Sequence, residues 1–152
     1  TIFSNKWRYI MREKIKRVKS KCNCINLRRA SNAITEYYDN IMKPSGLTVN
    51  QFCLLRNLKR LGVCSTSELA EYVGLERTTL VRTIRPLFQK NYVEDISPEG
   101  SRNRQIQVTP QGIQALEISI PLWEKAQKAV ELKLGSKNLK LLIKFLEKIE
   151  EL

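Results

Sequence analysis

The chain has 152 residues, 42% of them hydrophobic, which is enough for one compact domain with a buried core. Histidine is absent, which excludes Ser-His-Asp and Cys-His catalysis and every metal site that needs imidazole. The 27 basic and 15 acidic residues give a formal net charge of +12, which favours a polyanionic partner, most simply nucleic acid. No apolar run approaches the roughly 20 residues of a membrane helix, so we expect a cytoplasmic protein with no membrane partner.

Most of the excess charge lies near the N-terminus, where residues 1–21 form a basic extension. Residues 1–30 contain ten basic side chains and one acidic side chain, whereas the rest of the chain contains 17 basic and 14 acidic ones. Five apolar residues recur in the extension at helical spacing: Phe3, Trp7, Met11, Ile15 and Val18. The pattern is typical of a basic amphipathic helix that touches DNA or another anionic surface, or of an extension that packs on the domain or a neighbouring subunit.

Apolar spacing and capping signals predict two helices in the next part of the chain. The first covers about 22–42 and ends at the Pro- and Gly-containing breaker of residues 43–46. Thr48 opens the second helix with Gln51 as its capping-box partner, and Gly62 ends it.

Two further helices follow across a short turn. Ser65 and Glu68 predict a second capping box at the start of a helix over 66–73, with Gly74 as its C-cap. This helix is joined to another, over about 76–90, by the turn sequence EYVGL. A short glycine-containing turn at this place sets two helices at a steep angle, so that the second can project into a major groove.

The periodicity then changes to that of strands. Alternating residues on both sides of a Pro/Gly/Ser turn predict a β-hairpin over about 92–109. Its tip carries short polar and basic residues: Ser101, Arg102, Asn103 and Arg104. Arginine on a thin wing suits the narrow minor groove, where the negative potential is strongest. The alternative interpretation is a solvated turn with incidental charge.

Two helices complete the chain. Thr109 is the expected N-cap of a helix over 110–134 that bends at Pro121 and ends at Gly135. Ser136 is expected to cap a last helix, which has one apolar stripe: Leu139, Leu142, Ile143, Leu146 and Ile149.

The element order across 48–109 is that of a winged helix-turn-helix. In the helix over 76–90, Leu80, Ile84 and Leu87 form a stripe for the core, and the opposite side carries Thr78, Arg82, Arg85 and Gln89. Pro86 lies inside this helix and is interpreted as a kink. We predict that the surface that contacts DNA comprises Arg77, Thr78, Thr79, Val81, Arg82, Arg85, Ser101, Arg102 and Arg104.

Three segments are similar in sequence to the MarR family of bacterial and archaeal transcriptional regulators: NLRRASNAITEYYDNIMKPSGLTVNQFCLL, STSELAEYVGLERTTLVRTIRPLFQKNYVE and NRQIQVTPQG. The resemblance covers about 22–152. It implies a homodimer with interdigitated terminal helices that binds pseudo-palindromic double-stranded DNA, usually as a repressor. Arg102 matches the wing arginine of the family, but Gly100 stands where an acidic residue is usual, with Glu99 adjacent. The resemblance therefore leaves the rigidity of the wing open.

The residues outside the winged region agree with a dimer. Apolar stripes lie along 22–42, 112–134 and 137–152 and are too large to be buried by a winged core of only about 60 residues. The simplest way to bury them is contact with a second copy of the chain in a symmetric dimer. The predicted fold is therefore mainly α with a small β-hairpin wing. A winged helix-turn-helix region over 48–109 is flanked by a dimerisation region formed by 22–47 and 110–152, all in one domain. The alternative is a final helix that folds back within one subunit.

The resemblance also implies that a signal releases the protein from DNA. In the family this signal is a small, often phenolic ligand or the oxidation of a cysteine. We expect a small aromatic ligand first, with Tyr37, Tyr38 and Arg28 as candidates to line its cleft. The alternative is a thiol sensor, since Cys24 matches the reactive cysteine of thiol-sensing members and Tyr38 one of their two tyrosines, although Arg28 replaces the other.

The four cysteines make no CxxC pair and indicate cytosolic thiols. Basic neighbours of Cys24, among them Lys21 and Arg28, can stabilise a thiolate. Cys22 is a candidate resolving thiol, but two cysteines on one helix two residues apart point in different directions and cannot easily pair. Cys53 and Cys64 are expected to be small buried residues.

Other classes of function fit the sequence less well. Without histidine, clustered carboxylates, a Gly-rich phosphate loop or metal-ligand spacing, we expect no enzyme, no cofactor and no metal. A winged helix used only for protein contacts would need an apolar exposed face on the helix over 76–90, where the sequence has arginines instead. RNA binding is disfavoured because no exposed aromatic stacking pair accompanies the basic residues.

Overall fold

The computed structural model describes residues 18–101 and 104–152. The described elements are α1 (Asn23–Met42), a short 3-10 helix (Lys43–Ser45), α2 (Val49–Leu61), β1 (Cys64–Ser65), α3 (Thr66–Tyr72), α4 (Arg77–Gln89), β2 (Val93–Asp95), β3 (Gln105–Val108), α5 (Pro110–Leu134) and α6 (Ser136–Glu150). The predicted mainly helical fold with a small β-hairpin is confirmed. The described part of the chain divides into two compact units, a first unit that ends at residue 34 and a second unit of residues 35–152.

The described part of the first unit contains the start of α1. Its leading residue is Asn23, and the Cys22 carbonyl accepts a hydrogen bond from the Asn26 amide at 3.2 Å. Cys22 therefore precedes the helix, and the prediction that it shares a helix with Cys24 is wrong. The apolar pattern of the basic extension lies outside the described residues except for Val18, which is exposed.

The core of the second unit lies among the end of α1, the helices α2, α3, α4 and α5, and the sheet. These elements supply one buried apolar cluster because each contributes side chains at its own period, every three or four residues in the helices and every second residue in a strand. Its largest fully buried members are Phe52, Met42, Leu55, Leu58, Leu69, Leu80, Leu87, Ile106 and Leu116. This cluster fixes α4 on the rest of the winged region.

Local capping sets the helix starts, as the sequence predicts. Thr48 with Gln51 and Ser65 with Glu68 each form a complete capping box. Gly62 ends α2 with its amide donating to the Leu58 carbonyl at 2.9 Å. These bonds satisfy backbone groups that an uncapped helix end would leave without partners.

The last helix begins differently from its prediction. Ser136 does not cap α6, because Gly135 occupies the N-cap position and the Ser136 hydroxyl donates to Glu131 Oε1 at 2.8 Å. Gly135 has a φ of +79° and also ends α5, as predicted. One glycine thus serves as the junction of two helices.

The sheet has three antiparallel strands in the order β1–β3–β2. The predicted hairpin is confirmed, with Val93 opposite Val108 and Asp95 opposite Ile106. Strand β1 adds a third strand that the sequence pattern did not predict, and it pairs Cys64 with Ile106. Two residues are too few to show an alternating pattern.

Candidate nucleic-acid interface

Helix α4 has a buried face and an exposed face. Leu80, Ile84 and Leu87 are at most 3% exposed and anchor the helix in the core. The exposed residues of the helix include Arg77, Thr78, Val81, Arg82 and Arg85. The core contacts therefore leave three arginines exposed to solvent, where they can reach a polyanion.

The turn before α4 orients the helix. The Leu75 amide donates to the Ala70 carbonyl at 2.9 Å, and the Gly74 amide donates to the Glu71 carbonyl at 3.1 Å. Val73 occupies the C-cap position of α3, one residue before the predicted Gly74. Gly74 has a φ of +65°, a left-handed conformation that glycine adopts without steric cost and that turns the chain sharply into α4.

Thr79 differs from the other predicted contact residues of α4. It is half-buried, and its carbonyl accepts a hydrogen bond from the Thr83 hydroxyl at 2.9 Å. Both threonines line a cavity of about 430 Å³ beside α2, together with Asn57 and Tyr72. Thr79 therefore faces the protein more than the exposed arginines do.

The wing is described up to Ser101 and again from Arg104. Gly100 has a φ of +76°, and the Ser101 amide donates to the Pro98 carbonyl at 3.1 Å, which closes a tight turn. The Arg104 side chain is 76% exposed and lies 3.4 Å from Asp95, measured from Nη1 to Oδ2. Arg102 lies outside the described residues.

A second cluster in the unit of residues 35–152 was not predicted from sequence. The Arg56 guanidinium lies 4.6 Å from the centroid of the Trp123 ring and 5.8 Å from that of Phe52. Tyr38 is buried, and its hydroxyl donates to Gln127 Oε1. Burial raises the pKa of Tyr38 above its usual range, and nearby Cys53 adds to this effect. The cluster that was not predicted thus combines the Arg56 cation with the two aromatic rings, whereas Tyr38 was already a candidate from the sequence.

The thiols lie in different environments. Cys64 is buried as predicted, but Cys53 is exposed, so the prediction that Cys53 is buried is wrong. Partial desolvation still raises the pKa of the Cys53 thiol, and the nearby Arg56 opposes this shift. In the first unit, Cys22 and Cys24 are both exposed, as is Arg28.

Large apolar side chains remain exposed on the two C-terminal helices. Ile118 and Leu132 of α5 are 61% and 76% exposed, and Phe145 of α6 is 52% exposed. Further exposed members are Leu134, Leu141, Leu142, Ile143, Leu146 and Ile149. Exposed apolar side chains in this number on two helices are typical of an interaction face.

No helix within residues 18–101 and 104–152 has the length and hydrophobicity of a membrane span. The same residues contain no group of three or more His, Cys, Asp or Glu side chains placed to hold a metal ion.

Comparisons with known proteins identify related folds. Residues 47–102 match the sequence model of the MarR family. The Mycobacterium tuberculosis transcriptional regulator MosR, solved in complex with DNA, is 32% identical, and the alignment covers 86% of this chain and 97% of MosR with a TM-score of 0.74. A search of curated protein sequences found no match.

Two more distant structures share the fold. Bordetella bronchiseptica BpsR, whose DNA binding is regulated by 6-hydroxynicotinic acid, is 21% identical, with 91% of this chain and 100% of BpsR covered and a TM-score of 0.77. A cysteine-to-serine mutant of Escherichia coli MarR, solved with operator DNA, is 18% identical, with 81% of this chain and 89% of the mutant covered and a TM-score of 0.72.

Proposed function

Since the chain belongs to the MarR family of transcriptional regulators, we propose that α4 and the wing bind double-stranded DNA sequence-specifically. The observation that carries this proposal is the pair of opposed faces on α4. The core fixes one face through Leu80, Ile84 and Leu87, while Arg77, Arg82 and Arg85 on exposed positions supply charge for phosphates and donors for base edges.

The proposed surface divides into residues that recognise bases and residues that position the backbone. Thr78 and Arg82 lie in the first half of α4, the part that meets base edges in helix-turn-helix proteins. Val81 is 49% exposed and is suited to contact a thymine methyl group. Among the described members of the surface, Thr79 is the least accessible. Ser101, Arg102 and Arg104 of the wing belong to the backbone and minor-groove part of the surface.

The test compares single arginine substitutions by gel shift against a specific and an unrelated duplex. Arg82→Ala should cost about 1–3 kcal/mol and relax the preference at one position of each half-site. Arg102→Ala should weaken binding to all duplexes evenly and flatten the salt dependence. Lys128→Ala, an equal charge loss at an exposed position on α5, is the control. Relaxed preference in Arg102→Ala but not in Arg82→Ala would reverse the proposed roles.

The assembly proposed for this function is a homodimer that reads two half-sites. The exposed apolar surface of α5 and α6 supports it, because a second copy would remove these side chains from water. Light scattering should give a dimer for the wild type and for Lys144→Glu, and a monomer for Phe145→Glu on the same helix. A wild-type monomer at micromolar concentration would refute the dimer.

The signal proposed for release is a small aromatic anion. The contact between Arg56 and Trp123 supports this class of ligand. The guanidinium can pair with the carboxylate of the ligand, and the neighbouring aromatic side chains can pack against the ligand ring. None of the described carboxylates pairs with Arg56. Tyr38 and Tyr37 of the same unit remain proposed lining residues, and the two rings contact each other edge to face with centroids 6.3 Å apart. For Arg28, which belongs to the first unit, a role in ligand binding stays a prediction from the sequence. Titration of the DNA complex with 6-hydroxynicotinate should release DNA from the wild type and not from Arg56→Met; equal release from both would reject this site.

The alternative signal is oxidation at Cys24. Its support is the exposure of both Cys24 and Cys22, which leaves the two thiols accessible to an oxidant and to a disulfide with a second subunit. Oxidation of the operator complex with an organic hydroperoxide should release DNA from the wild type but not from Cys24→Ser. Unchanged DNA affinity of the fully oxidised wild type would reject the sensor.

A further inference from the structure

Beyond the last ladder pair of the hairpin, one backbone hydrogen bond and one bond to a side chain continue to join its two strands. The ladder ends where Asp95 lies opposite Ile106. One step further, the Ile96 amide donates to the Gln105 carbonyl at 2.8 Å, and the Gln105 amide donates to Ser97 Oγ at 2.5 Å. The strands are thus held together up to the start of the tip.

Asp95 contacts residues on both sides of the hairpin. Its Oδ1 accepts a hydrogen bond from the Ser97 amide at 2.9 Å, while its Oδ2 lies 3.4 Å from Arg104 Nη1 on the opposite side of the hairpin. Hydrogen bonds from Ser97, together with the charge of Arg104, hold the pKa of Asp95 below its usual value. The carboxylate is therefore ionised at neutral pH and offsets the charge of Arg104.

The position of this carboxylate bears on the wing of this particular sequence. Gly100 lies in a left-handed turn at the hairpin tip and has no side chain that could pair with a wing arginine. Asp95 provides a carboxylate from the other strand, within reach of a wing arginine. The ion-pair partner of this carboxylate is Arg104.

We propose that Asp95 is a positioning residue of the wing. Its ion pair with Arg104 stabilises the hairpin, so that Arg104 does not contact a DNA phosphate. The proposal rests on the proposed DNA-binding function and assigns Arg104 a different role within it. Arg104 then contributes to affinity by holding the wing in shape, because its charge is already compensated by Asp95 when DNA arrives.

Glu94 offers a matched control for Asp95. Glu94 is exposed, lies next to Asp95 on β2 and accepts a hydrogen bond from Gln107 Nε2 at 2.8 Å. Successive residues of a strand point to opposite faces, so Glu94 does not share the contacts of Asp95. Loss of one negative charge from either residue raises the attraction to any duplex equally. The difference between Asp95→Asn and Glu94→Gln therefore isolates the positioning effect.

The experiment measures DNA affinity over a range of salt concentrations for five proteins: the wild type, Glu94→Gln, Asp95→Asn, Arg104→Gln and the Asp95→Asn/Arg104→Gln double variant. We expect Asp95→Asn to bind about two- to fivefold more weakly than Glu94→Gln, the range of an exposed ion pair. Arg104→Gln should lose a similar factor with an unchanged salt slope, and the double variant should be no weaker than either single variant. Amide exchange at Gln105 should accelerate in Asp95→Asn without DNA.

Two results would overturn the proposal. One is a salt slope that falls by about one in Arg104→Gln, the signature of a lost phosphate contact. The other is an Asp95→Asn variant that matches Glu94→Gln in both affinity and exchange. Failure of the DNA-binding proposal would look different: the wild type would bind no duplex, while amide exchange would still report whether Asp95 holds the hairpin.

Discussion

Gly112→Ala is expected to destabilise the protein although alanine is the better helix former. Gly112 lies in the first turn of α5 and is buried. A Cβ at this position would overlap the Tyr92 carbonyl oxygen and stand 2.8 Å from Val108 Cγ1. Both neighbours are held in place, since the Tyr92 carbonyl accepts from the Thr109 amide at 3.1 Å and Val108 belongs to the sheet.

The size of the effect follows from three contributions. Overpacking against backbone costs about 1–3 kcal/mol. A shift of the helix start also weakens the cap formed by the Thr109 hydroxyl, which accepts from the Gly112 amide at 3.0 Å, at a cost of about 1 kcal/mol. The higher helix propensity of alanine stabilises the variant by about 1 kcal/mol and offsets part of this cost. The expected net loss is about 1–3 kcal/mol, or roughly 2–12 °C in Tm for a chain of this size.

Urea and thermal unfolding followed by circular dichroism measure this loss. The control is Gln111→Ala, an exposed residue in the same turn, which should change stability by less than about 0.5 kcal/mol. A Gly112→Ala variant as stable as the wild type would show that α5 does not approach Tyr92 this closely.

Further predictions concern the core and the caps of the winged region. Leu80→Ala should cost about 2–5 kcal/mol in urea unfolding, whereas Val81→Ala on the exposed face of α4 should cost under about 1 kcal/mol. Ser65→Ala removes a capping box and should cost about 1 kcal/mol. Hydrogen bonds that Ser65 donates to the Glu68 carboxylate lower the pKa of Glu68. The stability that this carboxylate contributes is present above the usual carboxyl pKa and should be lost as the pH falls through the lowered pKa; Glu68→Gln should reduce this acid dependence.

Features encoded within a few residues could be predicted from the sequence. The capping boxes at Thr48 and Ser65 need only a hydroxyl and a side chain three residues later, and both form. The two faces of α4 follow from the 3.6-residue period, because Leu80, Ile84 and Leu87 repeat at that spacing.

Features that depend on packing between distant segments could not be predicted. Arg56 meets Trp123 only because α2 packs on α5, and Tyr38 meets Gln127 across 89 residues. Strand β1 exists because Cys64 is brought beside Ile106. Ser136 has a residue type that is typical of a helix N-cap, but Gly135 occupies the N-cap position and the Ser136 hydroxyl donates to Glu131 instead.

The central claim is that α4 and the wing select a DNA sequence as part of a symmetric dimer. Selection of bound duplexes from a random pool by the full chain, followed by sequencing, tests it most directly. The predicted result is an inverted repeat whose half-site centres lie about 10 base pairs apart, one turn of the helix. Recovery of unenriched sequence, or of a single site without a repeat, would contradict it.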